Sequence, residues 1–590
     1  MLEKGRGVNP ALAAGLAGLA PALVYALVMR GADPNWAAAL TLTVICAAAA
    51  LARAEAGGSA SAGLAAAAGG LAGAALLPLA GASAVLFVFT LAAAWGFRRR
   101  GAAGTGGDER LLPLVCAASI PLVRMVSLLL GSPILGLASV IAGAGLGAAI
   151  GRRVRSPGLA ALPACAIVSG AAFAAAPHFL RFAGINAGDP TFLQAPLRGF
   201  GDLVALGGQS ALAAAACVLP LTVAEEEMSE SSLVRRLAAF ALIPCSAWLT
   251  GAIGPARAAA LEGAALVVYG AWRHGRGWAQ RESLAPRLLA GVGALGLLAA
   301  AFCGDPLRDI WLNRLNAAYP GGHFLYLDER GPRALGAYQF STGLIVTVED
   351  GVVDANGYQA AALEAHLPLL AHREDELRDV LIVGALNPLT IDAAASHGAR
   401  VDVLDRVKSA DPLRQAFSSG RWKLPKETRL VSKPGPSYDV IVVEVPVPLH
   451  GMDAARETTR EAFKNWHARL KPYGVLAVRA PRPWFVPSLA RLTRGVRDEF
   501  KEIGAFQFPG ALLVLASDQF IAVDNSSLLK NLTPEARLQD PELEGFIRDT
   551  DSWRPQLQGP AVDAAGPGTV DRAPDAVPLR DILTTAVPKS

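Results

Sequence analysis

From Ala11 to about Phe302 one apolar stretch follows another, built mainly from Ala, Leu, Gly and Val, and many approach the ~20 residues that a helix needs to cross a bilayer. An ordinary soluble domain does not carry such a series. Of the 590 residues 52% are hydrophobic and 18% charged, and the apolar ones crowd into the first half. The pattern predicts a polytopic α-helical membrane bundle over residues 1–303, with the lipid bilayer as its partner. Candidate spans lie near 11–29, 35–52, 62–78, 80–96, 111–129, 131–150, 158–177, 201–223, 237–253, 257–272 and 286–303.

Helices pack in lipid through small residues that let backbones approach. Gly143, Gly147 and Gly151 form such a ridge, and Gly69 and Gly73 form a shorter one. Arg124 and Glu262 fall inside predicted spans, where an ionisable group marks either a relay or a buried structural pair. Both readings stay open. The basic positions Lys4 and Arg6, Arg98 to Arg100, Arg152 to Arg155, and Arg273 and Arg276 are separated by even numbers of spans and share one side, by the positive-inside rule the cytoplasm. One further span precedes the charged half, so this count puts the C-terminal domain outside the cytoplasm, and a count changed by one reverses it. The expectation is a multi-pass protein of the plasma (inner) membrane.

The formal charge of +4 is small for such a length and no Lys/Arg block interleaves with aromatics, so no nucleic-acid partner is expected. All six cysteines lie in or beside the apolar half without metal-ligand spacing, so they read as small core residues. No metal site is expected. His366, His372 and His397 read as surface or capping histidines, because no Cys or acid stands at ligand spacing.

After Cys303 charged residues become frequent and strands alternate with helices. Residues 304–322 read as a juxtamembrane connector with an amphipathic stretch from Ile310 to Tyr319. A small β subdomain follows over 323–360, in which Asp350 and Gly351 supply a hairpin turn. Residues 361–523 form an α/β Rossmann-like domain of the methyltransferase type. Its opening is DVLIVGALNPLTIDAAASHGARVDVLD, Asp379 to Asp405: a buried strand, a turn at Gly384, a helix, and a second strand closed by an acid. In such units the turn holds a ligand at a helix N-terminus, and an acid ~20 residues on takes ribose hydroxyls. Gly384 and Asp405 have that spacing. The turn keeps a single glycine, since Ala385, Leu386, Asn387 and Pro388 follow. Beyond Asp524 the fold signal fades, and the extension 524–590 is predicted to be largely disordered after Trp553.

The ordered pieces DGVV (Asp350 to Val353), HLPLLAH (His366 to His372), DVLIVG (Asp379 to Gly384), YDVIVVEVPVP (Tyr438 to Pro448), TREAF (Thr459 to Phe463) and RLKPYGVLAV (Arg469 to Val478) resemble the spermidine synthase (polyamine aminopropyltransferase) family, in a membrane-fused form. The resemblance implies a seven-stranded, mostly parallel sheet with strands near Val380, Val401, Leu430, Val440, Val475, Ile503 and Leu512. It implies aminopropyl transfer from decarboxylated S-adenosylmethionine to a polyamine, with an acid that orients and deprotonates the acceptor amine. Carried over by position, Glu444 stands where the catalytic acid belongs, and Gly384, Asn387 and Asp405 line the nucleoside pocket. The family pattern is eroded. Asn387 replaces an acid, Val447 replaces the second acid of the fourth strand, the Gly-Asp-Gly stretch between Arg429 and Ser437 is missing, and Ala360 to Ala362 replace acceptor-binding residues.

Three readings follow. The first is a divergent or inactive, membrane-anchored spermidine-synthase-like domain that binds or senses a polyamine or adenosyl ligand. The second is an active aminopropyltransferase with decarboxylated S-adenosylmethionine as co-substrate. The third is a transporter with a regulatory domain. A homodimer through the soluble domain is open under each.

Overall fold

The computed structural model describes residues 10–29, 34–51, 64–72, 111–130, 133–154, 162–186, 200–223, 233–277, 305–330, 333–354, 358–372, 379–407, 410–446, 452–481, 486–508, 511–519 and 523–549, with Ala74, Val85, Val88, Phe89 and Ile521 besides. They fall into two compact units that part near Arg314 and Leu315.

The first unit is helical, with helices Pro10–Val28, Pro34–Leu51, Leu111–Leu130, Pro133–Val154, Leu162–Asn186, Phe200–Val223, Leu233–Ile253 and Pro255–Gly277. These coincide with eight of the eleven predicted spans. The stretches 80–96 and 286–303 lie almost wholly outside the described residues, and 62–78 is described mainly over 64–72. Among the described residues one helix, over Pro133–Gly151, is long and apolar enough to cross a membrane, and shorter apolar stretches include Ala13–Val28, Ala117–Leu129 and Cys165–Leu180. The glycine ridge has a packing role. A Cβ on Gly143 would overlap the carbonyl of Ala211, and one on Gly147 would come within 2.5 Å of the Ala215 carbonyl. Helices Pro133–Val154 and Phe200–Val223 therefore touch backbone to backbone. Ser169 Oγ donates to the Cys217 carbonyl at 2.5 Å and Ser246 Oγ to the Ala117 carbonyl at 2.7 Å, so hydroxyls bridge helices whose own backbones are already satisfied.

In the second unit an antiparallel sheet is built from β1 (His323–Asp328), β2 (Leu335–Gln339), β3 (Ile345–Glu349) and β4 (Val352–Asp354). The β3–β4 turn has Asp350 at φ 48° and Gly351 at φ 83°, both left-handed as a tight hairpin turn requires. The Asp350 carboxylate accepts from the Ala334 N–H at 2.8 Å, which ties this turn to β2.

The larger sheet has seven strands: β5 (Asp379–Val383), β6 (Arg400–Leu404), β7 (Thr428–Val431), β8 (Tyr438–Glu444), β9 (Leu470–Pro481), β10 (Glu502–Phe508) and β11 (Ala511–Ser517). Their spatial order is β10-β11-β9-β8-β5-β6-β7, parallel from β7 to β9 and antiparallel at β11 and β10. This is a doubly wound, methyltransferase-type Rossmann-like sheet. Parallel strands covered on both faces read as continuous apolar runs. The period of two then sorts them: Val380, Ile382, Val440 and Val442 enter one core, while Leu381, Val383, Ile441 and Val443 enter the other.

One expectation fails here, and one segment is more regular than its sequence announces. Beyond Asp524, where the fold signal fades, helices Asn525–Lys530, Pro534–Gln539 and Leu543–Asp549 bury Leu528, Ala536, Leu543 and Ile547 in the first of those cores. Each helix has few apolar residues, so no periodicity announced them, yet Asp524 and Thr533 cap two of them through their side chains. The stretch after Trp553, expected to be largely disordered, lies outside the described residues, which end at Asp549. The histidines are not at the surface. His366 and His372 are buried, and His366 Nδ1 lies 2.9 Å from His397 Nε2.

Candidate functional site

Chain order runs from β5 outward to β7 and then returns to β8 on the other side, so the topological switch lies between the C-terminal ends of β5 and β8. Ligands of open α/β sheets sit in that crevice. Gly384 follows β5 with φ 80°, a conformation that strains any side chain, and its N–H donates to the Leu404 carbonyl at 3.0 Å. Asp405 follows β6 and Glu444 ends β8. The structure thus brings Gly384, Asp405 and Glu444 to one cavity, together with Arg333, Arg406 and Arg479.

That cavity measures about 20 Å³. It has room for about one water, whereas small-molecule pockets run to ~300 Å³ and above. The missing space is taken up by arginines. Arg406 Nη1 stands 2.5 Å from where a Cβ on Gly384 would be. The same nitrogen donates to the Glu444 carbonyl, and Arg406 Nε lies 3.3 Å from the Glu457 carboxylate. Burial lowers the Arg406 pKa from its ordinary value, with the Glu457 charge opposing that shift. Asp405 is held as well. Arg414, fully buried, donates from Nη1 to Asp405 Oδ2 at 3.0 Å and from Nη2 to Oδ1, and its Nε donates to the Ala385 carbonyl at 3.1 Å. The acid that the spacing assigns to ribose hydroxyls is a partner of this chain's own guanidinium.

Asn387 does not line the cavity. It is buried and caps the helix Pro388–Ala395, its Oδ1 accepting from the Leu389 N–H at 3.1 Å while Pro388 occupies the first helical position. The local sequence is a helix-start signal, which accounts for an amide at this place without any ligand.

Glu444 is 5% exposed, so it is not an acid at an open strand end. Its carboxyl faces Arg479 on β9, Asp354 on β4, Glu364 on the helix Tyr358–Ala371, and the Thr390 hydroxyl. Arg479 donates from Nη1 to Asp354 Oδ2 at 2.6 Å, and its Nε pairs with Glu364. Burial raises the pKa of both Glu364 and Glu444, with Arg479 opposing in each case. Nearby, burial pushes Glu349 up to about 7 although Arg333 pairs with it.

Asp354, Glu364, Arg333, Arg406, Arg414 and Arg479 were not singled out by sequence reasoning. One signal was available. Arg479 interrupts VLAVRAP, a strand otherwise apolar on both faces, and a charge in such a strand must have a buried partner. No comparable signal marks Glu364, which sits in an Ala- and Leu-rich helix.

No family model matches the chain, and no curated protein matches it. Solved structures similar to it include a spermidine synthase from Thermotoga maritima, 16% identical over 37% of this chain and 78% of that one, with a TM-score of 0.30. Another is a probable spermidine synthase from Corynebacterium glutamicum, 15% identical over 35% and 86%, with a TM-score of 0.28. Human methyltransferase-like protein 13, solved in complex with SAH, is 17% identical over 33% and 91%, with a TM-score of 0.23. The strand order itself defines the fold of this domain.

Proposed function

We propose that this protein is a multi-pass membrane protein whose spermidine-synthase-like domain has lost aminopropyl transfer and serves in binding or sensing. The observation that carries the reading is the filled crevice: Arg406 occupies the space above Gly384, Arg414 holds Asp405, and about 20 Å³ is left. A cationic co-substrate such as decarboxylated S-adenosylmethionine meets guanidinium groups where its family site offers acids. Each unmatched charged contact in a buried site forfeits ~1.5 to 3 kcal/mol. The membrane part rests on eight helices of 18 to 25 residues and on the glycine contacts between two of them.

Calorimetric titration of the full chain in detergent with decarboxylated S-adenosylmethionine, S-adenosylmethionine and methylthioadenosine tests this. The expected result is no heat of binding. Micromolar binding that disappears in Asp405→Ala overturns the filled crevice as the ground for lost transfer, and a putrescine transfer assay then decides between sensing and catalysis. That second reading has one observation in its favour: a buried carboxyl at the end of β8, Glu444, whose pKa lies above its ordinary value, as a general base near neutrality requires. A C-terminal reporter fusion tests the membrane part and the side on which the domain lies.

A further inference from the structure

Asp354, Glu364 and Glu444 converge on the Arg479 guanidinium, where the four-stranded sheet, the helix Tyr358–Ala371 and strands β8 and β9 meet. Asp354, Glu364 and Arg479 are each 1% exposed and Glu444 is 5% exposed. The surrounding charges have partners of their own. Arg406 is engaged by Glu457 and by the Glu444 backbone carbonyl, and Arg333 by Glu349, with Asp350 behind it. From the helix Pro388–Ala395 and the turn before it, the Thr390 hydroxyl and the Leu386 N–H face Glu444.

Arg479 carries one positive charge against three carboxyls: it holds Asp354 in a two-point contact through its Nη atoms and meets Glu364 through Nε. An uncompensated buried carboxylate costs several kcal/mol, so such a group takes up a proton instead. Glu444 stands opposite Arg479 in the β8–β9 register, and its carboxyl faces that of Glu364. Two carboxyls crowded into a buried site beside one shared cation do not both ionise cheaply, and the pair is stabilised when one keeps its proton and donates it to the other. Glu444 Oε1 is buried without a hydrogen bond, as a site short of one proton leaves it.

We infer that Glu364 and Glu444 hold a single proton between them, and that its release makes the joint between the two sheets a proton-responsive switch. With the proton bound, the helix Tyr358–Ala371 and β4 are drawn onto β8 and β9 through Arg479. Release to water leaves two ionised carboxylates facing one another in a dry site, and opening the joint to solvent relieves that repulsion. The inference does not depend on whether the crevice binds a nucleoside, since none of the four groups needs a ligand.

Infrared difference spectra of the full chain in detergent between about pH 5 and pH 9, on either side of neutrality, read the carbonyl stretch of a protonated carboxylic acid directly. A band that titrates in the wild type and is lost in Glu364→Gln and in Glu444→Gln is expected. Absence of any such band in the wild-type protein at the acid end overturns the inference, and that arm needs no variant to fold. Hydrogen exchange reads the switch. Protection over 352–354 and 358–371, corrected for intrinsic exchange, falls with rising pH by up to about tenfold per unit, the limit for one proton. It stays flat in Glu364→Gln, and equal slopes in the two proteins overturn the switch.

Discussion

The two ends of the parallel sheet use the same residue types to opposite effect. At the N-terminal ends of β5, β8 and β9, Lys471 Nζ bridges Asp379 at 2.7 Å and Asp439 at 3.0 Å, and Arg400 also pairs with Asp379. Acids and bases balance there, and although Asp439 is buried, water reaches the cations, with Arg400 69% and Lys471 27% exposed. At the C-terminal ends Asp354, Glu364 and Glu444 share Arg479 in a site closed to solvent. Burial, not composition, separates a rim of inexpensive ion pairs from a network in which every missing partner is costly. A crevice built for a ligand draws its charges from what it binds. This one draws them from its own arginines.

The sharpest way to break this contrast is Arg479→Met. It leaves three buried carboxylates without their cation and is expected to cost about 3–5 kcal/mol, read as a collapse of the denaturation midpoint of the second unit. A loss below about 1 kcal/mol would make the two ends equivalent. Arg406→Ala comes next. Glu457 and the Glu444 carbonyl lose a buried donor, for a cost of about 1–3 kcal/mol in the same assay.

Acidity sharpens the comparison with the histidine pair that links the helix Tyr358–Ala371 to the chain before β6. Burial depresses His366 to about 3 and His397 to about 4, so each remains neutral in the fold. Their contribution is present above the unfolded value near 6.5 and is lost as pH falls below it. Glu349 has the opposite sign. With its folded pKa raised to about 7, its contribution is complete below the unfolded value near 4.5 and is lost as pH rises towards 7. The melting temperature should therefore fall on acidification below about pH 6.5 less steeply in His366→Asn than in the wild type, and unchanged slopes would remove the pair from the account. Arg400→Ala is expected to have the smallest effect, within about 1 kcal/mol and vanishing at high salt. A salt-independent loss would contradict the open-rim description.

The strands were the most legible part. DVLIV, YDVIVVE and VLAV announce buried parallel strands through unbroken apolar runs, and β5, β8 and β9 lie there. The Asp350-Gly351 hairpin was equally plain, because left-handed φ at both positions selects those residue types. The three C-terminal helices were not, since short segments with a few apolar residues are given a face only by the core they cover. Within the candidate site, Gly384 and Asp405 could be placed by their spacing, and Glu444 by its position in the pattern that the chain resembles. Their partners could not, because Arg479 meets Asp354 across 125 positions and Glu364 from another element.

The sequence by itself determined the buried strands, the long apolar helices and the residues at the strand ends, because those follow from periodicity and turn chemistry within a few residues, whereas the short C-terminal helices took their face from the core they cover. Only the tertiary structure decided what those residues do. Asp405 turned towards Arg414, Arg406 filled the space above Gly384, and Glu444 was enclosed with two other acids. The physical reason is range. Dihedral preference and apolar period act between neighbours, whereas the charge and protonation of a buried carboxyl depend on every group packed around it, whatever its distance along the chain.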